Sequence, residues 1–126
     1  MKQVLGNIKN ERLKVYVIWM TAFARDSHGA AGTRAQELAD DWIRHYWDAK
    51  NATGRGWMPT FDMPKPAWDV YFLYGAGTTW ADTPTYPDFL MHQLGVLPRE
   101  QILSNENVRK FEQMAKELLA QSQNKF

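Results

Sequence analysis

The chain contains no cysteine. Disulfide bonds, thiolate nucleophiles and dithiol redox cycles are therefore excluded within it, because each of them needs a cysteine sulfur. The sequence also lacks a run of about 18 consecutive apolar residues, so no transmembrane helix is predicted. Its N-terminus has no apolar core of the kind that a secretory signal needs. We therefore expect a cytoplasmic protein.

An excess of charge of either sign is missing too. The 15 basic and 14 acidic residues give a formal net charge of +1. Proteins that bind nucleic acids or membrane surfaces typically concentrate basic residues on one face, so neither kind of partner is expected. The 126 residues predict a single domain. Six of them are tryptophan, a residue that builds both cores and interfaces.

Two continuous apolar runs predict the central strands. They cover residues 15–20 (VYVIWM) and 70–74 (VYFLY), and their lack of polar alternation is typical of strands that are covered on both faces. The glycine-rich turn at residues 75–77 and the short run at residues 78–80 (TTW) predict that the second strand continues into an antiparallel hairpin. Helical material between the two central strands favours an α/β layered fold.

Three helices are predicted from the spacing of apolar residues. The first covers residues 2–11, and the second begins near Thr33, its N-cap. The last covers residues 105–122 and is capped by Ser104 or Asn105. Its apolar stripe consists of Val108, Phe111, Ala115 and Leu118, and it is flanked by Met114 and Leu119.

The segments between these elements give weaker patterns. Residues 43–47 are ambiguous between more helix and a short strand. Residues 48–56 predict a polar loop, and residues 58–65 predict an irregular segment with two prolines. A short helix is predicted over residues 88–94, and a helical turn over residues 98–103.

Four pieces of the chain form a recognisable set: VYVIW at 15–19, HYWD at 45–48, AWDVYFLYG at 67–75, and Trp80. The most specific part is a Trp-Asp-Val-Tyr strand with a tryptophan downstream. With these residues the chain, over roughly residues 13–94, resembles a poorly characterised bacterial group of thioredoxin-like proteins.

The resemblance implies a mixed sheet with flanking helices. In thioredoxin-like folds a first strand leads to a helix that opens with Cys-x-x-Cys, and a second parallel strand, a helix, an antiparallel hairpin and a last helix follow. The resemblance places residues 2–11 at the end of the first helix and residues 15–20 in the second strand. It assigns residues 68–74 and 78–82 to the hairpin and residues 105–122 to the last helix. The first strand and the redox motif are absent on this alignment, so redox chemistry has no residue to which it can be assigned.

The missing strand bears on oligomeric state. In the resembled fold the first strand lies between the second strand and the hairpin, so its loss would leave two apolar strands without their shared neighbour. Unpaired backbone groups there would be costly, and exposed strand edges invite pairing. The strands either close up directly or are completed by another subunit, and we therefore expect a homodimer. In a further reading, the chain is a fragment of a longer thiol-redox protein whose gene extends upstream of Met1.

The catalytic candidates are carboxylates and one histidine. His45 and Asp48 could act as a general base and its orienting carboxylate, or as two metal ligands. A strand-end histidine followed by a turn-forming aspartate is the more ordinary explanation. Asp69 interrupts an apolar strand, where burial would perturb its pKa, although such a residue more often lies at a strand mouth. Asp62 and Asp82 lie in loops near the same hairpin and could form a carboxylate pair.

Two further patterns concern metals and anions. The three histidines, His28, His45 and His92, have no recognised metal-ligand spacing, so no metal and no cofactor are expected unless they converge in space. Residues 29–34 (GAAGTR) could bind an anion through backbone N–H groups and Arg34. A plain glycine loop before a capped helix, with His28 exposed in the loop, explains the same residues.

The aromatic residues could line a pocket for a small apolar or aromatic ligand. Core packing is the default for most of them. Trp57 and Trp80 lie in or beside loops, so they are the better candidates for a pocket rim or a subunit interface. Trp68 and His92 are additional ligand-binding candidates.

These patterns together predict a small cytoplasmic binding or interaction protein without thiol-redox activity. The competing class is an enzyme or a small-molecule-binding protein with a Trp-lined pocket, which would use His45, Asp48 or Asp69. Convergence of those three side chains on a concave surface would favour the competing class, whereas separate packing would favour the binding module.

Overall fold

The computed structural model describes residues 2–20 and 42–123. The helix expected from Thr33, the candidate anion loop at residues 29–34, His28 and Arg34 lie outside the described residues. Within these ranges the chain is a mixed α/β structure with two small sheets and a long C-terminal helix. Its elements are α1 (Lys2–Ile8), β1 (Val15–Met20), β2 (Ile43–Asp48), α2 (Ala52–Gly56), α3 (Met58–Phe61), β3 (Val70–Leu73), β4 (Phe89–His92), a 3-10 turn (Arg99–Gln101) and α4 (Asn105–Gln123).

The first sheet consists of β1 and β2, which run parallel from the pair Val15–Ile43 to the pair Met20–Asp48. The strand predicted at residues 15–20 is confirmed, and the ambiguous segment after it is a strand. The expectation that β1 is covered on both faces is wrong. Tyr16 is 58% exposed and its neighbour Tyr46 is 50% exposed, because these even-numbered residues point away from the face that packs on the core.

The second sheet corrects the predicted hairpin. β3 pairs antiparallel with β4, from Val70–His92 to Leu73–Phe89, and not with residues 78–80. The helix expected over residues 88–94 is therefore wrong. A short apolar run without alternation fits a buried strand as well as a buried helix. Here Leu90 and Met91 are almost fully buried on opposite faces of the sheet.

The core lies on both faces of this second sheet. On one face α1 and α4 pack their apolar stripes against Leu73 and Met91, with Phe111 and Ala115 of α4 at the centre. On the other face lies a second cluster that includes Trp57, and Phe72 of β3 packs against it. The coverage of β3 on both faces is thus confirmed.

The terminal helices agree with the sequence patterns. The predicted first helix is shorter than expected and ends at Ile8. The predicted last helix is confirmed as α4, and the hydroxyl of Ser104 accepts a hydrogen bond from the backbone N–H of Asn107 at 3.1 Å, as an N-cap does. The helical turn expected near Pro98 is confirmed as the 3-10 turn.

Two short helices replace an expected loop and an expected irregular segment. The Asp48 carboxylate accepts hydrogen bonds from the backbone N–H groups of Ala52 and Thr53 at 3.1 and 2.7 Å. It thereby satisfies donors that the first turn of α2 leaves unpaired. Helix α2 also needs Gly54, because a Cβ at this position would lie 2.5 Å from the carbonyl oxygen of Ala67.

Each of the two apolar strands has a neighbour within the chain. Within the described ranges β1 pairs only with β2, and β3 pairs only with β4. An isolated parallel bridge between His92 and Ile102 extends the pairing beyond β4. The sheet that was expected to join residues 15–20 to the second apolar run is therefore two separate pairs over this part of the chain.

Candidate binding surface

Six aromatic rings from three parts of the chain form one connected cluster, which we call the aromatic surface. It joins the α2–α3 junction, the end of β3 and the loop of residues 75–88. Its rings belong to Trp57, Phe61, Phe72, Tyr74, Trp80 and Tyr86.

The rings meet at distances and angles typical of favourable aromatic pairs. Trp57 lies at the centre: its ring centroid is 5.2 Å from that of Phe72 and 5.3 Å from that of Trp80, which meets it edge-on at 84°. Trp80 also lies 5.5 Å from Tyr74. Strand geometry helps to build this arrangement, because Phe72 and Tyr74 are two positions apart and side chains two apart along an extended chain share a face.

Hydrogen bonds tie the loop to the rings beneath it. The indole N–H of Trp57 donates to the Tyr74 hydroxyl at 3.1 Å, and this hydroxyl donates to the carbonyl of Thr85 at 2.6 Å. The hydroxyl of Thr60 donates to the carbonyl of Pro84, also at 2.6 Å. Two neighbouring carbonyls of the loop thus each accept a hydrogen bond from a side-chain hydroxyl.

The base of the same loop is held by polar contacts. The backbone N–H of Gly75 donates to the carboxylate of Asp88 at 2.5 Å, and the backbone N–H of Asp88 donates to the carbonyl of Leu73 at 2.8 Å. The hydroxyl of Thr78 donates to the carbonyl of Gly75. The loop therefore leaves and re-enters the second sheet at a fixed point.

The aromatic surface has a buried floor and exposed outer rings. Trp57 is only 9% exposed, whereas Trp80 is 51% exposed and Tyr86 is 52% exposed. Burial raises the pKa of Tyr74, and the nearby Asp88 carboxylate adds to this effect, while the hydrogen bond from Trp57 opposes it. The Tyr74 hydroxyl thus keeps its proton and remains a donor to Thr85.

His45 pairs with a tryptophan rather than with Asp48. The indole N–H of Trp19 donates to Nδ1 of His45 at 3.1 Å, with the two rings nearly parallel at 11°. The other ring nitrogen, Nε2, is buried and has no hydrogen-bond partner within residues 2–20 and 42–123. His45 and Asp48 are three positions apart on β2, so their side chains leave opposite faces of the strand.

Asp48 serves the backbone of α2. Burial by itself would raise the pKa of this carboxyl, but the hydrogen bonds from Thr53, Ala52 and Lys50 together lower it below its usual value. The carboxylate is thus held in its charged form by the start of a helix. This contact gives Asp48 a structural role in positioning Trp57 at the end of α2.

Asp69 is exposed, and its backbone adopts the left-handed conformation with φ 51°. Burial raises the pKa of the neighbouring Tyr71, and the charge of Asp69 raises it further, while a hydrogen bond from Gln93 opposes both effects. Asp62 and Asp82 are exposed as well, and Asp62 ends α3 in the same left-handed conformation. The reading of Asp69 as a buried carboxylate is therefore wrong.

His92 is completely buried in β4 and has two backbone partners. Its Nδ1 accepts the N–H of Leu94 at 2.9 Å, so the ring proton is on Nε2, which donates to the carbonyl of Pro98 at 2.7 Å. Both ring nitrogens are used to hold the chain after β4. Trp68, the other candidate outside the aromatic surface, packs half-buried against the second core cluster.

The described histidines and carboxylates do not converge. No group of three His, Asp or Glu residues that could hold a metal ion occurs over residues 2–20 and 42–123. A small depression of about 120 Å³ lies elsewhere, between the base of the 75–88 loop and α4, and its walls include Asp88 and Ser122. None of the predicted site residues lines it.

The aromatic surface was only partly foreseeable from the sequence. The loop positions of Trp57 and Trp80 were the signal that singled them out. Phe61 and Tyr86 gave no such signal, because they are separated by 25 positions and meet, at 5.1 Å between ring centroids, only through the fold. Alternation along β3 could have indicated that Phe72 and Tyr74 share a face.

Comparisons with known proteins identify no relative. No protein-family model matches the chain, and neither a curated protein nor a solved structure matches it significantly. Among the described residues, no helix has both the length and the apolar character required to cross a bilayer.

Proposed function

We propose that this protein is a thioredoxin-like interaction module without redox activity, and that it binds a partner through the aromatic surface. The observation that carries the proposal is the half-exposure of Trp80 and Tyr86 on top of rings that the fold holds in place. Tryptophan and tyrosine dominate binding energy at protein interfaces, because they supply a large contact area with few rotatable bonds.

The order of the elements supports the thioredoxin-like part of the proposal. After α1 come two neighbouring parallel strands, then helices α2 and α3, and finally an antiparallel pair and a long helix. This is the order that the resemblance implies, but with β1 in the place of the first strand instead of the second. On this alignment β1 would lie beside the antiparallel pair, whereas within the described residues the two pairs are separate sheets. The chain has no cysteine for the redox motif.

A cross-linking experiment tests the binding role of the aromatic surface. A photo-reactive amino acid is placed at Thr83, which is exposed in the 75–88 loop, and in a second protein at Arg109, which is exposed on α4. In cells that express the natural gene we expect a discrete adduct from position 83 and none from position 109. Trp80→Ser in the first protein should abolish it. An absent adduct, or one that survives Trp80→Ser, would rule the proposal out.

We also propose that the module is a homodimer. Support comes from the exposed pair Tyr16 and Tyr46, whose ring centroids lie 6.3 Å apart on the outer face of the first sheet. Light scattering at several concentrations should give twice the monomer mass. Tyr16→Ser combined with Tyr46→Ser should give the monomer mass, and Tyr86→Ser is the matched control that should leave the dimer intact. A monomeric wild type would contradict this part of the proposal.

One observation favours a second candidate, a small-molecule-binding protein. With Nδ1 of His45 accepting from Trp19, a neutral ring carries its proton on the buried Nε2, which has no acceptor among the described residues. Buried donors are normally paired, so an oxygen of a bound ligand would satisfy this atom. Small carboxylic acids should then raise the melting temperature of the wild type but not that of His45→Phe. Equal shifts in both proteins would exclude this candidate.

A further inference from the structure

The loop segment that rests on the aromatic surface has the sequence Pro84-Thr85-Tyr86-Pro87. Proline fixes its own φ near −65° and biases the residue before it towards extended backbone. These two effects restrict the backbone conformations of Thr83, Pro84, Tyr86 and Pro87. Only Thr85 keeps its ordinary backbone freedom within the segment. The segment therefore favours a polyproline II conformation, which has three residues per turn.

The burial of the segment follows the same period of three. Pro87 is buried and Pro84 is half-buried, whereas Thr85 and Tyr86 between them are exposed. In a helix with three residues per turn, positions three apart lie on one face. Both prolines thus face the protein, whereas Thr85 and Tyr86 between them are exposed, with the Tyr86 ring lying edge-on to Phe61 at 5.1 Å.

The surface beneath the segment supplies what a polyproline II ligand requires. Such ligands lie in grooves lined by aromatic rings, and they have no internal hydrogen bonds, so their carbonyls are available as acceptors. Here the hydroxyls of Thr60 and Tyr74 donate to the carbonyls of Pro84 and Thr85. The indole N–H of Trp57 orients the Tyr74 hydroxyl from behind.

We propose that the part of the aromatic surface that contacts this segment, formed by Thr60, Phe61 and Tyr74, is a recognition groove for proline-rich segments, occupied in this structure by the chain's own residues 84–87. Its partner is another protein that presents an extended Pro-x-x-Pro segment and displaces the internal one. This inference rests on the proposed binding role of the aromatic surface and specifies the chemistry of the partner. Displacement is feasible because residues 85 and 86 are already exposed and only Pro87 is buried.

The internal segment must weaken binding of an external one. A tethered segment competes at an effective concentration in the millimolar range, and the apparent affinity of the groove falls with the fraction of molecules in which it is free. Loosening the internal segment should therefore strengthen binding of an external peptide. A structural loop without a recognition role predicts no binding in either case.

The test uses a synthetic peptide with the sequence of residues 82–88 (DTPTYPD), titrated into the wild type and into the variant Pro84→Ala with Pro87→Ala. Tryptophan fluorescence and calorimetry report binding. We expect the variant to bind the peptide at least about tenfold more tightly than the wild type. A control peptide with alanine at both proline positions should not bind either protein.

Two outcomes would overturn the inference. One is a folded double variant, verified by circular dichroism, that does not bind the proline peptide or binds the alanine peptide equally well. The other is a wild-type dimer that the proline peptide converts to monomer, because a second copy and not another protein would then occupy the groove. An adduct at Thr83 in the cross-linking experiment together with a negative titration would reject only the proline chemistry.

A milder variant decides the case if the double variant does not fold. Pro87→Ala alone loosens the internal segment and leaves Thr60, Phe61 and Tyr74 unchanged. It is titrated, beside the wild type, with a peptide that repeats the Pro-x-x-Pro unit, which raises the chance of rebinding. Pro87→Ala should bind this peptide at least about fivefold more tightly than the wild type, because the internal competitor is weaker. Equal affinities, or no binding to either protein, would overturn the inference.

Discussion

The indole nitrogen of Trp57 lies 3.1 Å from the hydroxyl oxygen of Tyr74, although the two residues are 17 positions apart. The same hydroxyl donates to the carbonyl of Thr85. One phenol therefore connects the α2–α3 junction, the end of β3 and the loop of residues 75–88. The outer rings Trp80 and Tyr86 depend on this connection for their positions, because they belong to the loop that it ties down.

Removal of the Tyr74 hydroxyl should destabilise the protein. Tyr74→Phe leaves the buried indole N–H of Trp57 without an acceptor and the Thr85 carbonyl without its donor. We expect a loss of about 1–2 kcal/mol in the free energy of unfolding, measured by urea denaturation. Tyr86→Phe is the matched control, since this exposed tyrosine contributes its ring, and it should stay within about 0.5 kcal/mol of the wild type. Equal losses of stability in the two variants would contradict the proposed role of the hydrogen bonds that link Trp57, Tyr74 and Thr85.

The ionisation of Tyr74 should make stability fall at alkaline pH. Burial and the Asp88 charge raise the pKa of Tyr74 in the folded state, so the folded protein holds this proton more tightly than the unfolded chain. The resulting stabilisation is complete below the unfolded pKa of about 10 and is lost as the pH rises through the raised folded value. Urea denaturation at a series of alkaline pH values should show this decline, and it should be smaller in Tyr74→Phe. Asp88→Asn should lower the Tyr74 pKa in a spectrophotometric titration.

Loss of the Asp48 carboxylate should destabilise α2. Asp48→Ala removes the acceptor for the N–H groups of Ala52 and Thr53, and we expect a loss of about 0.5–2 kcal/mol, as for other helix caps. The exposed Asp82 provides the control, because Asp82→Ala should have little effect. Denaturation midpoints of the wild type and the two variants at neutral pH measure the effect of each substitution.

Acid should remove the stabilisation that the Asp48 carboxylate gives to α2. Because the pKa of Asp48 is lowered in the folded state, its stabilisation is present above the unfolded pKa of about 3.9 and is lost as the pH falls through the lower folded value. The stability difference between the wild type and Asp48→Ala should therefore shrink in acid. A difference that stays constant from neutral pH into strong acid would show that the charge is not involved.

The two glycines of α2 should respond oppositely to alanine. A Cβ at position 54 would lie 2.5 Å from the Ala67 carbonyl oxygen, whereas a Cβ at position 56 would meet no atom of the described residues within 4 Å. We expect Gly54→Ala to destabilise the protein by about 1–3 kcal/mol through overpacking. Gly56→Ala should stabilise it by about 0.4–1 kcal/mol, because alanine restricts the unfolded chain. Thermal melts of the two variants, which differ only in position, provide the comparison.

The elements that could be predicted from the sequence carry their signal locally. The β-branched and aromatic run of β1 and the apolar stripe and Ser104 cap of α4 are each decided within a few residues. For β4 the sequence predicts a helix instead. The four residues Phe89–His92 are too short a run for their hydrophobic periodicity to distinguish a strand from a helix. Its pairing with β3 depends on contacts that become available only when the second sheet forms. The hairpin expected at residues 78–80 failed for the same reason.

The candidate site shows the same division. Loop position marked Trp57 and Trp80, but the sequence did not indicate that Trp57 would be buried beneath Trp80. Closeness along the chain makes His45 and Asp48 a candidate pair, although a strand-end histidine followed by a turn-forming aspartate is the more ordinary explanation. In the structure His45 instead accepts a hydrogen bond from Trp19, and Asp48 accepts hydrogen bonds from the start of α2. Side chains three positions apart on a strand leave opposite faces, whereas on a helix they would share one face.

The sequence by itself determined the absence of cysteine chemistry, the near-neutral charge, and the positions of β1, β3 and α4, because composition and short-range periodicity suffice for each. It also contained the Pro-x-x-Pro segment. Only the tertiary structure decided that this segment contacts Thr60, Phe61 and Tyr74. Those residues come from separate elements, and the loop contacts them only because β3 pairs with β4, which returns the chain to the end of the strand that it left.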